Sequence, residues 1–343
     1  MTGRVQLDAA LAAFGFHAGE VQHIEPLPRG IKNLNFRVRV GDAEWVLKRH
    51  PAAARARLSD SHRFEVRLAE SGFPVAPLRR AASGATVVET REGVFDLHSW
   101  VSGRQFSIAD RGAMHAEHPD LASRLGSVMG DLHREGQQAL DGVPGLVPAT
   151  ALPTTPYPAI ATVRRGLFQR LQASAKLLRR RRTPLDAWFE QILPDIVHRA
   201  ESCTLPQVAA RVDPADAILA HNDVNWENLV FGPSLEVLAV LDFDNARTLP
   251  RALEIGAAAV VLIGTDAARF ERFMESYART ARTRPDPRAV RLGMELKCVR
   301  SILWSIDAHA RGRVADGTML ETWCRHLEAD LRVLTAMRAD DRW

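Results

Sequence analysis

One stretch, residues 221–244, constrains the fold and the chemistry of this chain more than any other. It reads HNDVNWENLVF, then a polar turn, then VLAVLDFD, so Asp223 and Asn228 lie on one loop and Asp242 follows fourteen residues after Asn228. Phosphoryl transfer needs a carboxylate that orients the attacking hydroxyl and oxygen ligands that hold magnesium across the phosphates. The pattern indicates such a site. The alternative is structural, with Asp223 and Asn228 capping a turn and His221 satisfied in the core.

The first hundred residues predict a small antiparallel sheet with one inserted helix. Short runs of branched and aromatic residues are typical of strands, and the pair Gly41-Asp42 between two such runs is a hairpin signal. Apolar residues at near-helical spacing predict a helix over residues 58–71, and a short helix is expected at residues 8–16. The predicted strands are residues 21–27, 35–40, 44–49, 85–89 and 94–100.

Helical periodicity dominates from residue 107 onward. Apolar residues one to two turns apart predict a helix over residues 121–134, and the proline-rich stretch 143–158 predicts a loop. Residues 217–244 alternate short apolar runs with polar turns, which predicts two short strands around a loop. Further helices are predicted at residues 161–178, 184–201, 267–282, 288–312 and 318–337. The sequence therefore predicts an α+β fold, with a sheet-containing N-lobe at residues 1–100 and a mostly helical C-lobe at residues 101–343.

The composition argues against several classes of partner. Lys and Arg together outnumber Asp and Glu by 45 to 41, an excess too small over 343 residues to indicate a polyanion partner. The one dense basic run, residues 176–182, is typical of a solvated helix face. The three cysteines form no metal or disulfide pattern, and the most apolar stretch is too short to span a membrane. We therefore expect a cytoplasmic protein that binds neither nucleic acid nor membranes; the oligomeric state stays open.

The segment HNDVNWENLVF…VLAVLDFDNA resembles the catalytic segment of the aminoglycoside phosphotransferase and choline/ethanolamine kinase superfamily, relatives of the protein kinases. Its DFDNAR part is similar to the bacterial stress-response kinase branch. The resemblance implies a bilobal protein-kinase-like fold with ATP in the cleft between the lobes. It also implies that Asp223 is the catalytic base, that His221 braces its loop, and that Asn228 and Asp242 bind magnesium. Asp244 is implied as a second-metal or water-mediated contact.

Residues 29–38, RGIKNLNFRV, resemble the loop that covers the nucleotide in the same superfamily. In that loop, backbone N–H groups and small polar side chains approach the phosphates, so Gly30, Asn33 and Asn35 are implied as nucleotide contacts. Lys48 stands on the next predicted strand, where the resemblance expects the lysine that contacts the α- and β-phosphates.

A carboxylate on the predicted N-lobe helix should hold the Lys48 ammonium in place, because a lysine stem is long and flexible. At the position where relatives carry that acid, this sequence has Ser61, with Asp60 and Glu65 nearby. Glu65 shares a face with the apolar residues of the helix. It is therefore the favoured partner, and Asp60 is the alternative.

Two further segments fit the resemblance. Residues 94–103, VFDLHSWVSG, resemble the last N-lobe strand and the hinge, whose backbone contacts adenine near Ser99, Trp100 and Val101. Glu254 stands where relatives carry an aspartate on an aliphatic helix. Because glutamate has one methylene more than aspartate, any structural hydrogen bond to the Glu254 carboxylate would have to form one methylene further from the helix backbone.

The predicted function is ATP- and magnesium-dependent transfer of the γ-phosphate to a hydroxyl of a small molecule, such as an antibiotic, an amino alcohol, a sugar or a nucleoside-like metabolite. The slightly basic chain does not favour a polycationic aminoglycoside, whereas a choline-like acceptor would want an aromatic cage, to which Trp304 and Trp323 could contribute. The alternatives are a protein Ser/Thr kinase of the stress-response type and a nucleotide-binding pseudokinase. An aliphatic helix starting near Leu253 argues against the first, and retention of Asp223 and Lys48 argues against the second.

Overall fold

A five-stranded sheet dominates the N-terminal part of the computed structural model. The structure describes residues 2–17, 19–27, 33–139, 173–180, 183–203, 213, 216–314 and 317–339. The N-terminal elements are α1 (Thr2–Ala13), β1 (Val21–Leu27), β2 (Leu34–Val40), β3 (Ala43–His50), α2 (Arg55–Glu70), β4 (Val88–Thr90) and β5 (Gly93–Ser99). The strands are all antiparallel and lie in the order β1-β2-β3-β5-β4. The predicted sheet with one inserted helix is confirmed.

Side-chain alternation gives this sheet one apolar and one polar face. Val38 and Leu47 lie on the apolar face and pack with α1 in a small core. On the opposite face the strand register aligns Asn35, Lys48 and Asp96 side by side across β2, β3 and β5. A row of polar groups therefore crosses the centre of the sheet.

Helix α2 covers the polar face of the sheet and also reaches the C-terminal part of the chain. It buries Ser61, His62 and Glu65 together with apolar residues, among them Phe64. The Phe64 ring packs edge-on against Phe243, with ring centroids 5.8 Å apart. Because α2 contacts both parts of the chain, its buried polar residues lie between the sheet and the turn that contains Phe243.

The C-terminal part is mostly helical and contains two small two-stranded sheets. Its helices are α3 (Arg111–Glu117), α4 (Leu121–Ala139), α5 (Pro184–Cys203), α6 (Arg251–Leu262), α7 (Ala267–Ala281), α8 (Pro287–Ala310) and α9 (Gly317–Ala339). Its strands are β6 (Ala217–Ala220), β7 (Leu229–Phe231), β8 (Val237–Val240) and β9 (Arg247–Pro250). Strand β6 pairs with β9, and β7 pairs with β8. The loop between β6 and β7 carries the HND motif.

Helices α6 and α8 cross closely, and this crossing positions a residue of α8 beside the HND loop. A Cβ atom on Gly293 would lie 2.9 Å from the carbonyl oxygen of Ala252 in α6, so a larger residue would push the helices apart. Lys297 lies one turn beyond Gly293 on α8. The close packing thus brings Lys297 toward the start of α6 and the loops around it.

The secondary structure corrects one of the predicted segments and leaves other predictions untested. Residues 217–244 contain three short strands, β6, β7 and β8, rather than the two expected, because strands of three or four residues show too little alternation to be counted from sequence; β9 follows outside the predicted range. The predicted loop at 143–158 and most of the helix at 161–178 lie outside the described residues, although residues 173–178 are helical. The lobe boundary at residue 100 stays a prediction. None of the helices among the described residues is long and apolar enough to cross a membrane.

Candidate active site

His221 holds the HND loop against the loop that carries Asp242. The histidine side chain is fully buried, and its Nε2–H donates to the carbonyl oxygen of Leu241 at 2.8 Å. Its Nδ1 accepts from the backbone N–H of Asp223 at 3.2 Å, so both ring nitrogens are used and the tautomer is determined. The ring also packs on Phe243, with centroids 4.4 Å apart. This geometry suits a residue that positions the loop.

Asp223 has a donor close to each of its two carboxylate oxygens. Lys297 Nζ lies 3.1 Å from Oδ1, and the Asn245 side chain donates to Oδ2 at 3.1 Å. Lys297 is largely buried, and its ammonium lies 5.8 Å from the centroid of the Trp323 ring. The carboxylate therefore has a defined orientation and stays partly open to solvent.

Glu254 supports the turn that precedes Asp223. Asn222 adopts a left-handed backbone conformation with φ 63°, which non-glycine residues rarely adopt without support. Its backbone N–H donates to Glu254 Oε1 at 2.7 Å, and its side chain donates to the Asn245 carbonyl at 3.2 Å. Burial raises the pKa of Glu254, and nearby His221 and the Asn222 N–H offset only part of that effect. The Glu254 side chain thus reaches the backbone of the HND loop despite its extra methylene, which is the longer-range hydrogen bond expected from the sequence.

Asn228 and Asp242 offer oxygen atoms suited to a hard cation. Asn228 donates its side-chain N–H to the Asp223 carbonyl at 3.0 Å, which leaves its amide oxygen as a ligand. Asp242 has a left-handed backbone, φ 68° and ψ 62°, at the start of a 3-10 turn. The Asp242 side chain is 35 % exposed. Amide and carboxylate oxygens are the donors that Mg²⁺ prefers, so these residues fit a magnesium ion.

Asp244 is more enclosed than Asp242, since its side chain is 11 % exposed. The Asn33 side chain donates to Asp244 Oδ2 at 2.6 Å, and His50 Nδ1 lies 3.3 Å from the same oxygen. Burial opposes the charge of this carboxylate, but Lys48 and His50 outweigh burial and lower the pKa of Asp244. Asp244 is therefore a charged group that organises its neighbours and lies beside the magnesium-ligand candidates.

Lys48 contacts Asp242, which corrects the expectation that Glu65 holds it. Its Nζ lies 3.0 Å from Asp242 Oδ1 and 4.0 Å from Asp244 Oδ1. Burial acts to lower the pKa of Lys48, but the surrounding carboxylates, Asp242 first among them, raise it, so the ammonium stays charged. The alternative partner, Asp60, lies on the surface side of α2 and pairs with Arg63 at 3.1 Å.

Glu65 does face the cleft, but its nearest partner is a histidine on β5. Glu65 Oε1 lies 3.1 Å from His98 Nε2, and both side chains are buried. The physical reason is position along the helix. Because Ser61 occupies the place of the expected acid, the carboxylate lies one turn later and meets β5 instead of reaching Lys48 directly.

The hinge residues line the same small cavity as Lys48. Its walls include Ser99, Trp100, Val101, Lys48, Glu65, His98 and Asp242. The Ser99 N–H already donates to the Pro77 carbonyl and the Trp100 N–H to the Glu44 carbonyl. Among these three hinge residues, only Val101 keeps an N–H without a hydrogen bond to the described residues. Val101 is thus the candidate donor to the adenine edge.

The covering loop is described in part. Gly30 lies outside the described residues, whereas Asn33 and Asn35 lie inside them. Asn33 contacts Asp244, and Asn35 is the cross-strand neighbour of Lys48. Both asparagines therefore lie beside the charged groups of the cleft.

Sequence reasoning missed three residues of this site. Lys297 contacts Asp223 across 74 positions of sequence, and no motif spacing predicts such a contact. His98 meets Glu65 across 33 positions for the same reason. Asn245 is different, because it directly follows the DFD motif and could have been examined as part of it.

Comparison with known proteins gives a family and a fold. The model of the phosphotransferase enzyme family APH matches residues 23–292. No curated protein is a significant match. The prediction of a phosphotransferase enzyme related to the aminoglycoside phosphotransferases is confirmed by the family match.

Three solved structures illustrate the shared fold. An aminoglycoside phosphotransferase from Alicyclobacillus acidocaldarius is 15% identical, with 96% of this chain and 95% of that one covered and a TM-score of 0.62. A spectinomycin phosphotransferase is 12% identical, with 97% and 98% covered and a TM-score of 0.66. Choline kinase LicA from Streptococcus pneumoniae is 12% identical, with 96% and 97% covered and a TM-score of 0.58. These structures confirm the bilobal protein-kinase-like fold. Because the family model matches residues 23–292, well over half of its length, the chain belongs to the phosphotransferase enzyme family.

Proposed function

We propose that this protein transfers the γ-phosphate of ATP, with magnesium, to a hydroxyl group of a small molecule. The observation that carries the proposal is the meeting of Lys48 from the sheet with Asp242 from the C-terminal part at 3.0 Å. The Lys48 ammonium, which would bind the phosphates, and the Asp242 carboxylate, which would bind the metal, thus lie beside one cavity. Residues 99–101 line the same cavity. Phosphoryl transfer depends mainly on such positioning and electrostatic stabilisation.

Each residue has a distinct role in this proposal. Asp223 accepts the proton of the acceptor hydroxyl, while Asn245 and Lys297 keep its carboxylate oriented. Lys48 binds the α- and β-phosphates. Asn228 and Asp242 would hold magnesium, which supplies positive charge to the β- and γ-phosphate oxygens when it is bound. The backbone N–H of Val101 and small polar groups such as Asn33 would complete the nucleotide site.

Solved relatives support nucleotide and metal as cofactors of this chain. The spectinomycin phosphotransferase structure contains ADP, and that of an amicoumacin kinase contains AMP-PNP and Ca²⁺. Another relative is a complex with GDP and kanamycin. We propose ATP for this chain, and a comparison of ATP with GTP in the same assay tests that choice.

The surroundings of Asp223 support an acceptor that is neutral or anionic near its reacting hydroxyl. Lys297 brings a buried positive charge to the carboxylate at 3.1 Å and lies over the Trp323 face. An exposed guanidinium, Arg247, donates to the side chain of the neighbouring Asn222 at 3.3 Å. These charges repel a polycationic aminoglycoside, and the lysine already occupies the aromatic face that a choline-like ammonium would use.

Neither alternative function is favoured by a particular observation. Helix α6 begins at Arg251, nine residues after Asp242, which leaves little chain for the long activation segment of a protein kinase. A pseudokinase would have lost the base, a metal ligand or the lysine, whereas Asp223, Asn228 and Lys48 are all present.

The experiment that tests the proposal is an ADP-release screen with magnesium over antibiotics, amino alcohols, sugars, nucleosides and hydroxy acids. We expect turnover with at least one neutral or anionic acceptor, and loss of that turnover in Asp223→Asn. If the chain binds ATP and magnesium but no acceptor raises ADP release above the Asp223→Asn background, the pseudokinase alternative replaces the proposal.

A further inference from the structure

A cluster of four buried titratable residues lies between α2 and β5, behind the cavity that contains Lys48. His62 and Glu65 come from α2, three positions apart, so their side chains project from the same side of the helix. Asp96 and His98 come from β5 and lie on the polar face of the sheet. None of the four residues is more than 6 % exposed. Two imidazoles and two carboxylates thus lie together away from water.

The four side chains approach each other closely while several of their atoms lack hydrogen bonds. His98 Nε2 lies 3.1 Å from Glu65 Oε1, and His98 Nδ1 lies 3.3 Å from Asp96 Oδ1. His62 Nε2 lies 3.3 Å from Asp96 Oδ2. Yet four of their buried atoms form no hydrogen bond of acceptable geometry with the described residues. These atoms are His62 Nε2, Glu65 Oε1, Asp96 Oδ1 and His98 Nδ1. Buried polar atoms of this kind are normally satisfied by water or by an ion.

Three of these residues have the composition and spacing of a metal site. One ligand atom from each of His62, Glu65 and His98 lies within 4.8 Å of the others. Two imidazoles and one carboxylate are donors suited to zinc and similar transition metals, whereas magnesium prefers oxygen ligands alone.

The neighbouring groups favour the ring orientations that metal binding requires. His62 Nδ1 lies 2.9 Å from the Thr86 hydroxyl, which leaves Nε2 directed toward the cluster. Asp96 lies at Nδ1 of His98, which leaves Nε2 directed toward Glu65. In protein metal sites, a ligating histidine usually donates its second N–H to such a partner.

We propose that His62, Glu65 and His98 bind one divalent transition-metal ion of the zinc class, with Thr86 and Asp96 orienting the two imidazoles. The ion would join α2 to β5 and hold Glu65 away from Lys48, with water completing its coordination. Phosphoryl transfer does not require this ion, so the site is additional to the magnesium site at Asn228 and Asp242. Its role is to fasten the helix that covers the polar face of the sheet.

A proton is the competing occupant of the cluster. Burial acts to lower the pKa of His98, but the carboxylates of Glu65 and Asp96 raise it to about 10. Metal binding requires a neutral imidazole at both histidines, so a bound metal ion and a proton on His98 Nε2 exclude each other.

The test measures zinc content rather than activity, so it is independent of the proposed phosphotransferase function. The untagged chain is incubated with Zn²⁺ in excess Mg²⁺, which occupies the oxygen-ligand site, then desalted and analysed by inductively coupled plasma mass spectrometry. We expect one zinc per chain, and a fall in Tm after chelation. His62→Gln should lose the zinc. The matched control is His115→Gln, because His115 is a buried histidine on α3 that bonds the Leu262 carbonyl, and this variant should keep it.

Thr86→Val provides a milder second variant that tests the site should His62→Gln fail to fold. Loss of the orienting hydroxyl should weaken zinc binding by about 10–100-fold, as is typical for such partners, while the fold is retained. The proposal is overturned if the wild-type chain retains no zinc under these conditions. It is also overturned if His62→Gln folds and binds zinc as tightly as the wild type, or if Thr86→Val binds zinc with wild-type affinity.

Discussion

The pairing of Lys48 with Asp242 can be measured by a double-mutant cycle that includes Glu65 as a comparison. Lys48→Met keeps the length of the side chain and removes the ammonium, and Asp242→Asn removes the carboxylate charge at 3.0 Å. Glu65→Gln removes the more remote carboxylate, which contacts His98. Urea unfolding is followed by fluorescence at neutral pH without nucleotide or metal, so that only interactions within the chain contribute.

The structure sets the expected magnitudes. A hydrogen bond between charged groups contributes about 1.5–3 kcal/mol, and the partial exposure of Asp242 places this pair near the lower end. We therefore expect Lys48→Met and Asp242→Asn to be coupled by about 1–2 kcal/mol in the free energy of unfolding. Glu65→Gln should couple to Lys48→Met by less than about 0.5 kcal/mol, because no direct contact joins the two side chains.

The result that refutes this reasoning is a larger coupling of Lys48 with Glu65 than with Asp242. Such a result would mean that Lys48 pairs with Glu65 in solution, as the family resemblance suggests. A Lys48→Met and Asp60→Asn cycle is the negative control, because Asp60 pairs with Arg63 on the other side of α2.

Four further predictions concern the cleft and the cluster behind it. Asp223→Asn should lower turnover by about 10²–10⁴-fold and leave nucleotide affinity nearly unchanged in a binding titration; more than half of the wild-type turnover would remove Asp223 from the mechanism. Asp242→Ala should abolish the magnesium dependence of ATP binding, and an unchanged dependence in calorimetry would contradict its role as a ligand. Lys297→Met should reduce turnover at least about tenfold with little change in the KM for ATP, because it removes the ammonium that contacts Oδ1 of Asp223; a change confined to the KM for ATP would place Lys297 in the nucleotide site. In the metal-free chain, the pKa of His98 is raised from about 6.5 to about 10 on folding, so its contribution to stability is complete below about pH 6.5 and is lost as the pH rises toward 10. The stability difference between wild type and His98→Gln, measured by urea unfolding, should shrink over that range, and a constant difference would count against the raised pKa.

The geometry of the HND loop was predictable from sequence because it is local. His221, Asp223 and Asn228 are separated by a few residues on one turn, so their spacing alone limits how far apart they can lie. The Asn228 side chain contacts the Asp223 carbonyl, and His221 contacts the Asp223 N–H, within that same loop. Asp242 lies just after the β7–β8 hairpin. The pairing of Leu229 with Val240 in that hairpin brings the chain back to the HND loop. Connectivity over about twenty residues was thus sufficient to bring Asp223, Asn228 and Asp242 together.

The prediction that Glu65 of α2 holds Lys48 was correct about the face of the helix that Glu65 occupies. It was wrong about the partner of Glu65, which is His98. Helical periodicity placed Glu65 on the apolar face of the helix, and the structure buries Glu65 there, whereas Asp60 is only partly buried. Periodicity describes a helix relative to its own axis. It does not say which strand lies opposite, and the strand order β3-β5 placed His98 against Glu65.

The sequence by itself determined the class of fold, the order of its elements and the closeness of Asp223, Asn228 and Asp242, because these depend on periodicity and short-range connectivity. Only the tertiary structure decided that Lys297 orients Asp223, that Lys48 pairs with Asp242, and that two histidines and two acids gather behind the cleft. Each of these arrangements joins different elements of the fold: α8 meets the HND loop, β3 meets the loop after β8, and α2 packs on the sheet. Packing of this kind follows from the shapes of whole elements, which no single motif contains.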